Sequence, residues 1–276
     1  MHSKLISSIR ATGLGLFGVG LVMAVVGEPI LGQQSAARTA ASPVSAGTLP
    51  RTADGKPDLQ GIWMVRNRAA HDLENRDAKD GVPGAIPYQP WAAAKRAENF
   101  AKRQTADPLS KCYMPGVPRI MYMDYPFQIF QTSAQVTMLF EWSTAFRLIY
   151  TNGSAAPKGI DFWMGDSRGH WDADTLVVDV TNHNDKTWFD MAGNFHSDAL
   201  HLLERYTLVN PNMIRYEITV DDPKVFTKAW TMAMPLYRQT DLPRLLEYQC
   251  NAEAEEASGA FPRDPHTWYQ KPGATK

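Results

Sequence analysis

The feature that most constrains this chain is a two-residue alternation of apolar and polar side chains from about position 112 to position 250. Successive side chains of a β-strand point to opposite faces, so this period builds sheets with a buried face rather than helices. The clearest instance is "RYTLVNPNMIRYEITV", two alternating runs joined at Asn210-Pro211-Asn212, with Ile214, Tyr216, Ile218 and Val220 on one face. "DTLVVDVTN" sends Leu176, Val178 and Val180 inward, and "AFRLIYTNG" groups Phe146, Leu148 and Tyr150 on one face before a turn at Asn152-Gly153. "FQIFQTSAQVTMLFEW" has room for two strands or one bent strand, "KVFTKAWTMAMPLYR" supplies Phe226, Trp230, Met232 and Met234, and "RLLEYQC" is placed to close the sheet. About eight to ten short strands without alternating helices predict a mainly all-β, antiparallel meander, and closure into a β-barrel removes its edges.

The chain ahead of that region has a different character. Lys4 and Arg10 precede the apolar run "ATGLGLFGVGLVMAVVG", which Glu28 and Pro29 end. This layout predicts a signal peptide over residues 1–32, with cleavage after Gly32 or near Ser35-Ala36-Ala37. The competing reading is a retained membrane anchor, against which the run is short and broken by glycines. Residues 33–110 are expected to form an N-terminal arm holding a flexible lead-in, a first strand at "GIWMV" and one helix over "QPWAAAKRAENFAKRQ". Pro90 suits the first turn of that helix, and Trp91, Ala94 and Phe100 form its apolar face. The barrel domain is expected over residues 111–250 and a tail over 251–276. The processed chain of about 240 residues suffices for one domain with an internal cavity.

A net charge of −1 and the lack of a basic tract argue against nucleic acid as a partner. The two cysteines, Cys112 and Cys250, suit a single disulfide in an exported, periplasmic or secreted protein, the other reading being two buried free thiols. A loop that long would contribute on the order of 4 kcal/mol on chain-entropy grounds. The expected partner is an apolar or aromatic small molecule, with no stable membrane anchor after processing; homo-oligomerisation stays open.

Five segments, "TADGKPDLQGIW", "CYMPGVPR", "GDSRGHWDADTLVVDVTNHNDKTWFD", "HSDALHLLERY" and "DDPKVFTKAW", together resemble a large family of uncharacterised exported bacterial proteins. The likeness covers nearly the whole processed chain. Its most distinctive block runs through Gly169, Trp171, Asp174, Thr175, Leu176, Val177 and Val178. The resemblance implies export and a lipocalin-like barrel. It implies no particular reaction, because a fold alone does not define one.

Candidate chemistry concentrates in "GNFHSDALHLLERY". Read as a strand, it puts His196, Asp198, Leu200, Leu202 and Glu204 on one face, with Ser197, His201, Leu203 and Arg205 on the other. On a helix, His201 and Glu204 would share a face as half of a carboxylate metal site, but the run into the next hairpin favours a strand. No HxH, HExxH or Cys/His spacing appears, so no metal is assigned. No nucleophile elbow, phosphate loop or dinucleotide fingerprint appears either, so no cofactor is assigned. Acid–base catalysis is what remains. His196 is the expected general base, Asp198 its orienting group, and Arg147 and Tyr122 the stabilisers of developing negative charge. Arg119, Tyr125, Glu141, Tyr150, Trp188, His201, Glu204, Tyr216 and Trp230 are the expected substrate contacts. The plainer reading makes Glu204 and Arg205 partners of Arg147 or Glu141 in cross-strand ion pairs, with His196 capping a turn and the tyrosines on the rim.

These residues together suggest an exported, cofactor-independent lyase or isomerase. It would cleave or dehydrate a bulky phenolic molecule, such as a plant- or lignin-derived dimer, inside the barrel. The alternative is a non-catalytic carrier or sensor of an apolar ligand. A carbohydrate-binding module presenting Trp163, Trp171 and Trp188 is a weaker third.

Overall fold

The computed structural model describes residues 48–74 and 86–251. The signal peptide, most of the lead-in and the tail beyond position 251 lie outside the described residues.

Nine strands close into a barrel in chain order. They are β1 (Gly61–Met64), β2 (Phe127–Gln131), β3 (Gln135–Phe140), β4 (Phe146–Tyr150), β5 (Asp166–Asp172), β6 (Thr175–Thr181), β7 (His201–Asn210), β8 (Met213–Asp221) and β9 (Trp230–Arg238). Two helices, α1 (Pro90–Ala101) and α2 (Arg103–Ala106), precede short 3-10 turns at Pro108–Lys111 and Arg119–Tyr122. The mainly all-β barrel expected from the alternation is the fold that forms.

The alternation works strand by strand. Leu202, Glu204, Tyr206 and Leu208 of β7 point inward beside Ile214, Tyr216, Ile218 and Val220 of β8. The hairpin between them turns where Asn210 Oδ1 accepts from the Asn212 amide at 2.9 Å, which gives the loop a local backbone partner. Leu176, Val178 and Val180 of β6 and Trp230, Met232, Met234 and Leu236 of β9 complete this side of the core.

Four details depart from the sequence reading. First, Asn152-Gly153 opens a long crossover instead of a hairpin, so β4 and β5 run parallel, paired only at Ile149↔Ser167 and Tyr150↔Arg168. Parallel neighbours need such a connection to bring the chain back to its starting end. Second, Arg147 and Ile149 of β4 face the core, so Phe146, Leu148 and Tyr150, which share a face as expected, point out, and Tyr150 lies outside the barrel where it was expected to meet a substrate. The pairing of Met138 with Arg147 sets that face, and a buried carboxylate accommodates the guanidinium. Third, β1 closes the barrel, through Trp63↔Arg238 and Met64↔Tyr237. "RLLEYQC" instead contributes a single bridge, Trp142↔Tyr248. Fourth, the stretch before β7 is not extended, because Asp222 accepts from both the amide and the hydroxyl of Ser197, at 2.6 and 2.8 Å, and folds it into a turn.

Helix α1 lies on the barrel by its small and polar side. Ala92 and Asn99 are buried, while Trp91 and Phe100 are exposed, the reverse of the expected apolar face. The reason is a close approach at Gly193, whose φ of +83° suits glycine and whose carbonyl accepts from Asn99 Nδ2 at 3.2 Å. A Cβ there would lie 2.7 Å from Asn99 Cβ. Gly193→Ala should therefore lower stability by about 1–3 kcal/mol, measured by urea denaturation, with tryptic cleavage in α1 appearing before global unfolding.

Candidate functional site

A groove of about 510 Å³ lies outside the strands, between the chain after β1, the two 3-10 turns and the segment around Tyr248. Leu109, Met123, Tyr125, Trp142, Met191 and Tyr248 give it apolar and aromatic walls. Its construction follows from polar anchors. Asp107 accepts from the Leu109 amide at 3.0 Å to start the first 3-10 turn. The same carboxylate takes Nη1 and Nη2 of Arg119 at 2.8 and 2.7 Å, a buried two-pronged pair that ties both turns together. Across the groove, Cys112 and Cys250 form a disulfide with a Cα–Cα distance of 5.5 Å. Glu141 accepts from the Leu246 amide at 2.8 Å, and the ring of Tyr248 lies 4.8 Å from that of Tyr125.

One pair on the groove wall has the geometry of a proton-transfer unit. His71 Nε2 lies 2.9 Å from Asp124 Oδ2. A carboxylate only accepts, so Nε2 carries the hydrogen and Nδ1 is left with its lone pair. Among the described residues Nδ1 meets no partner. The chain holding His71 is itself fixed, because the Met191 amide donates to the Ala70 carbonyl at 2.9 Å and Asp190 Oδ2 accepts from the Leu73 amide at 2.7 Å. Burial pushes the Asp190 carboxyl up to about 6, against the pull of its amide donors.

The residues singled out from sequence fall into separate places. Arg119 and Tyr125 line the groove, and Glu141 anchors its C-terminal wall. Tyr122 is fully buried and donates to the Phe189 carbonyl at 2.9 Å, its pKa raised by burial and then by Asp190. His196 is buried beside Phe189 and His183, and its lowered pKa follows first from burial. Its Nδ1 donates to the Ser197 carbonyl at 2.9 Å, so Nε2 accepts from the Thr187 hydroxyl at 2.6 Å. Asp198 is instead exposed and pairs with Lys224 at 2.7 Å, a hydrogen bond that holds its carboxyl low. His201 sits on the outer face against Asp179 at 3.0 Å. Trp188 bridges to Phe195, and Trp230 packs on Phe189 and Phe226.

Arg147, Glu204 and Tyr216 do come together, inside the barrel. Glu204 accepts from both Nη atoms of Arg147 and from the hydroxyls of Tyr206 and Tyr216, while Arg147 Nε reaches Ser167 Oγ at 3.0 Å. Burial opposes the Arg147 charge, yet Glu204 and the two tyrosines hold its pKa above the ordinary arginine value. Among the described residues no three His, Cys, Asp or Glu side chains converge as metal ligands.

Sequence reasoning missed the His71–Asp124 pair. The two are 53 positions apart and neither sits in a strand, so no periodicity joins them. The aromatic run around Met123–Tyr125 was the available signal. A comparison with protein-family models and with curated proteins finds no match for this chain.

Two outcomes check this account. Arg147→Met should cost about 3–5 kcal/mol in urea denaturation by stranding Glu204, and adding Glu204→Gln should restore part of that loss. Asp190 should titrate near pH 6 by carboxyl carbon NMR. Because its folded pKa is raised, its contribution to stability is complete below the unfolded value of about 4 and disappears as pH rises through about 6.

Proposed function

We propose that this protein is an exported catalyst of cofactor-independent proton transfer on an aromatic small molecule, acting as a lyase in the groove outside the barrel. The observation that carries the reading is the His71–Asp124 pair at 2.9 Å on an aromatic wall. In an aldol-type cleavage, His71 Nδ1 takes the proton of a β-hydroxyl group. The C–C bond then breaks, its electron pair passes to the carbonyl as an enolate, and an aldehyde leaves. The imidazolium, held by Asp124, returns the proton to the enolate carbon. Tyr125 and Trp142 would stack on the aromatic part, and Arg103 would supply positive potential to the enolate oxygen. Export is supported by the Cys112–Cys250 disulfide and by the charged and apolar N-terminal run.

The probe is 4-hydroxy-4-(4-methoxyphenyl)butan-2-one, with release of 4-methoxybenzaldehyde followed by ultraviolet absorbance. His71→Gln should abolish turnover and Asp124→Asn should lower kcat by about 10²–10⁴-fold, with thermal midpoints close to the wild type because both side chains are partly solvated. Wild-type rates in His71→Gln would sink the catalytic reading. A non-catalytic carrier is the second reading, favoured by the apolar groove walls, and it requires the probe to be recovered unchanged.

A further inference from the structure

The aromatic groove outside the barrel carries a charge pattern of its own. Three side chains on its walls can bear positive charge: His71, Arg103 and Arg119. His71 is engaged by Asp124, and both Nη atoms of Arg119 are taken by Asp107. Among the described residues, Arg103 is the groove cation left without a carboxylate partner.

Its guanidinium is nevertheless held in place. Nη1 donates to the Phe100 carbonyl at 2.8 Å, and the guanidinium carbon lies 4.1 Å from the centre of the Phe100 ring. These contacts use one N–H of the fork, and the others meet no acceptor among the described residues. Gln104, the next residue, lines the same groove, and its side-chain amide has no partner among the described residues either. An oriented fork with free donors is the arrangement that grips a carboxylate through two parallel hydrogen bonds.

The make-up of the walls says which part of a ligand meets this fork. Tyr125, Trp142 and Tyr248 supply aromatic surface, whereas Arg103, Gln104 and Ser110 come from α2 and the first 3-10 turn. A ring on the aromatic residues and a β-hydroxyl at His71 Nδ1 leave the carbonyl end of the molecule for Arg103. We infer that the groove takes its ligand as an aromatic 2-oxo acid, with Arg103 gripping the carboxylate and the neighbouring 2-oxo oxygen together. This rests on the aldol-type reading above and names its substrate class, a 4-aryl-4-hydroxy-2-oxo acid. His71 Nδ1 takes the 4-hydroxyl proton, and the C3–C4 bond breaks with its electron pair passing to the 2-oxo oxygen. The aryl aldehyde leaves, and the imidazolium returns the proton to C3 to give 2-oxopropanoate. The charge that grows at C2 thus forms beside a cation already oriented by the adjacent carboxylate.

The test uses the full chain and has two arms. In the first, aldehyde release is followed from 4-hydroxy-4-(4-methoxyphenyl)-2-oxobutanoate, from the neutral 4-hydroxy-4-(4-methoxyphenyl)butan-2-one, and from 4-(1-hydroxy-3-oxobutyl)benzoate, whose carboxylate is on the ring. With each rate divided by that in buffer alone, kcat/KM for the 2-oxo acid should exceed the other two by at least about 30-fold. Arg103→Gln should bring all three within about threefold of one another, and Arg103→Lys, which keeps the charge but loses the fork, should recover only part of the preference. In the second arm, calorimetry compares 4-(4-methoxyphenyl)-2-oxobutanoate and 4-(4-methoxyphenyl)butan-2-one, which lack the hydroxyl and cannot be cleaved. The oxo acid should bind at least about tenfold more tightly, and Arg103→Gln should remove the difference. Arg103 is exposed, so both variants should keep the wild-type thermal midpoint. Tight, Arg103-dependent binding of the oxo acid without turnover of any compound would support the carboxylate site and overturn the aldol reading. Turnover with equal affinity for acid and ketone, a preference that survives in Arg103→Gln, or faster cleavage of the ring carboxylate would each overturn the inference and leave that reading standing.

Discussion

The barrel depends on a charge pair buried at one of its two shortest seams. Between β4 and β5, as between β1 and β9, the backbone ladder is only two residue pairs long. Arg147 supplies what the ladder lacks. From β4 it reaches Ser167 on β5, and Glu204 and Tyr206 on β7, while Tyr216 on β8 donates to the same carboxylate. Side-chain hydrogen bonds thus join four strands where main-chain bonds thin out. Taking both charges out of water is expensive, and the pair is tolerable because the surrounding hydroxyls satisfy its remaining donor and acceptor positions. An apolar pair would cost less to bury but would not define which residue of β4 faces inward.

That choice of face propagates outward. With Arg147 turned in, Phe146, Leu148 and Tyr150 turn out, and all three line a groove of about 590 Å³ beside the β4–β5 seam. The barrel interior, occupied by the ion pair, two stacked tyrosines 4.7 Å apart and methionines of β9, is a packed core. A groove of about 250 Å³ lies over the outer faces of β7, β8 and β9, and two larger ones lie where strands end or diverge. One sits at the β4–β5 seam and the other outside the strands, where the disulfide, the Arg119–Asp107 pair and the Tyr248 bridge gather four distant segments. Connections rather than strands carry His71 and Asp124, as expected when a rigid sheet supports irregular loops.

Asp190 links the two levels. Its carboxyl accepts amides from Leu73 and Asn194, fixing the chain that presents His71 against the segment that follows β6. Gly193, three positions on, lets α1 settle on the same segment through Asn99. Buried polar anchors, not the apolar stripe of the helix, set how this layer sits on the barrel.

Alternation alone determined the class of fold, the inward faces of β6, β8 and β9, and the hairpin at Asn210-Pro211-Asn212, because side chains two apart on a strand share a face whatever surrounds them. The far-separated cysteines already pointed to the disulfide that forms. Of the chemical groups singled out, Arg119 and Tyr125 line the groove outside the strands rather than the barrel interior. Arg147 was expected inside the barrel, with a cross-strand pair to Glu204 as one reading, but that β4 thereby turns Tyr150 outward was not legible. Nor was the His71–Asp124 pair, formed across 53 positions by loops without any period of their own. Tertiary structure decided these, because a buried charge and a loop-borne pair depend on partners that neither local spacing nor propensity encodes.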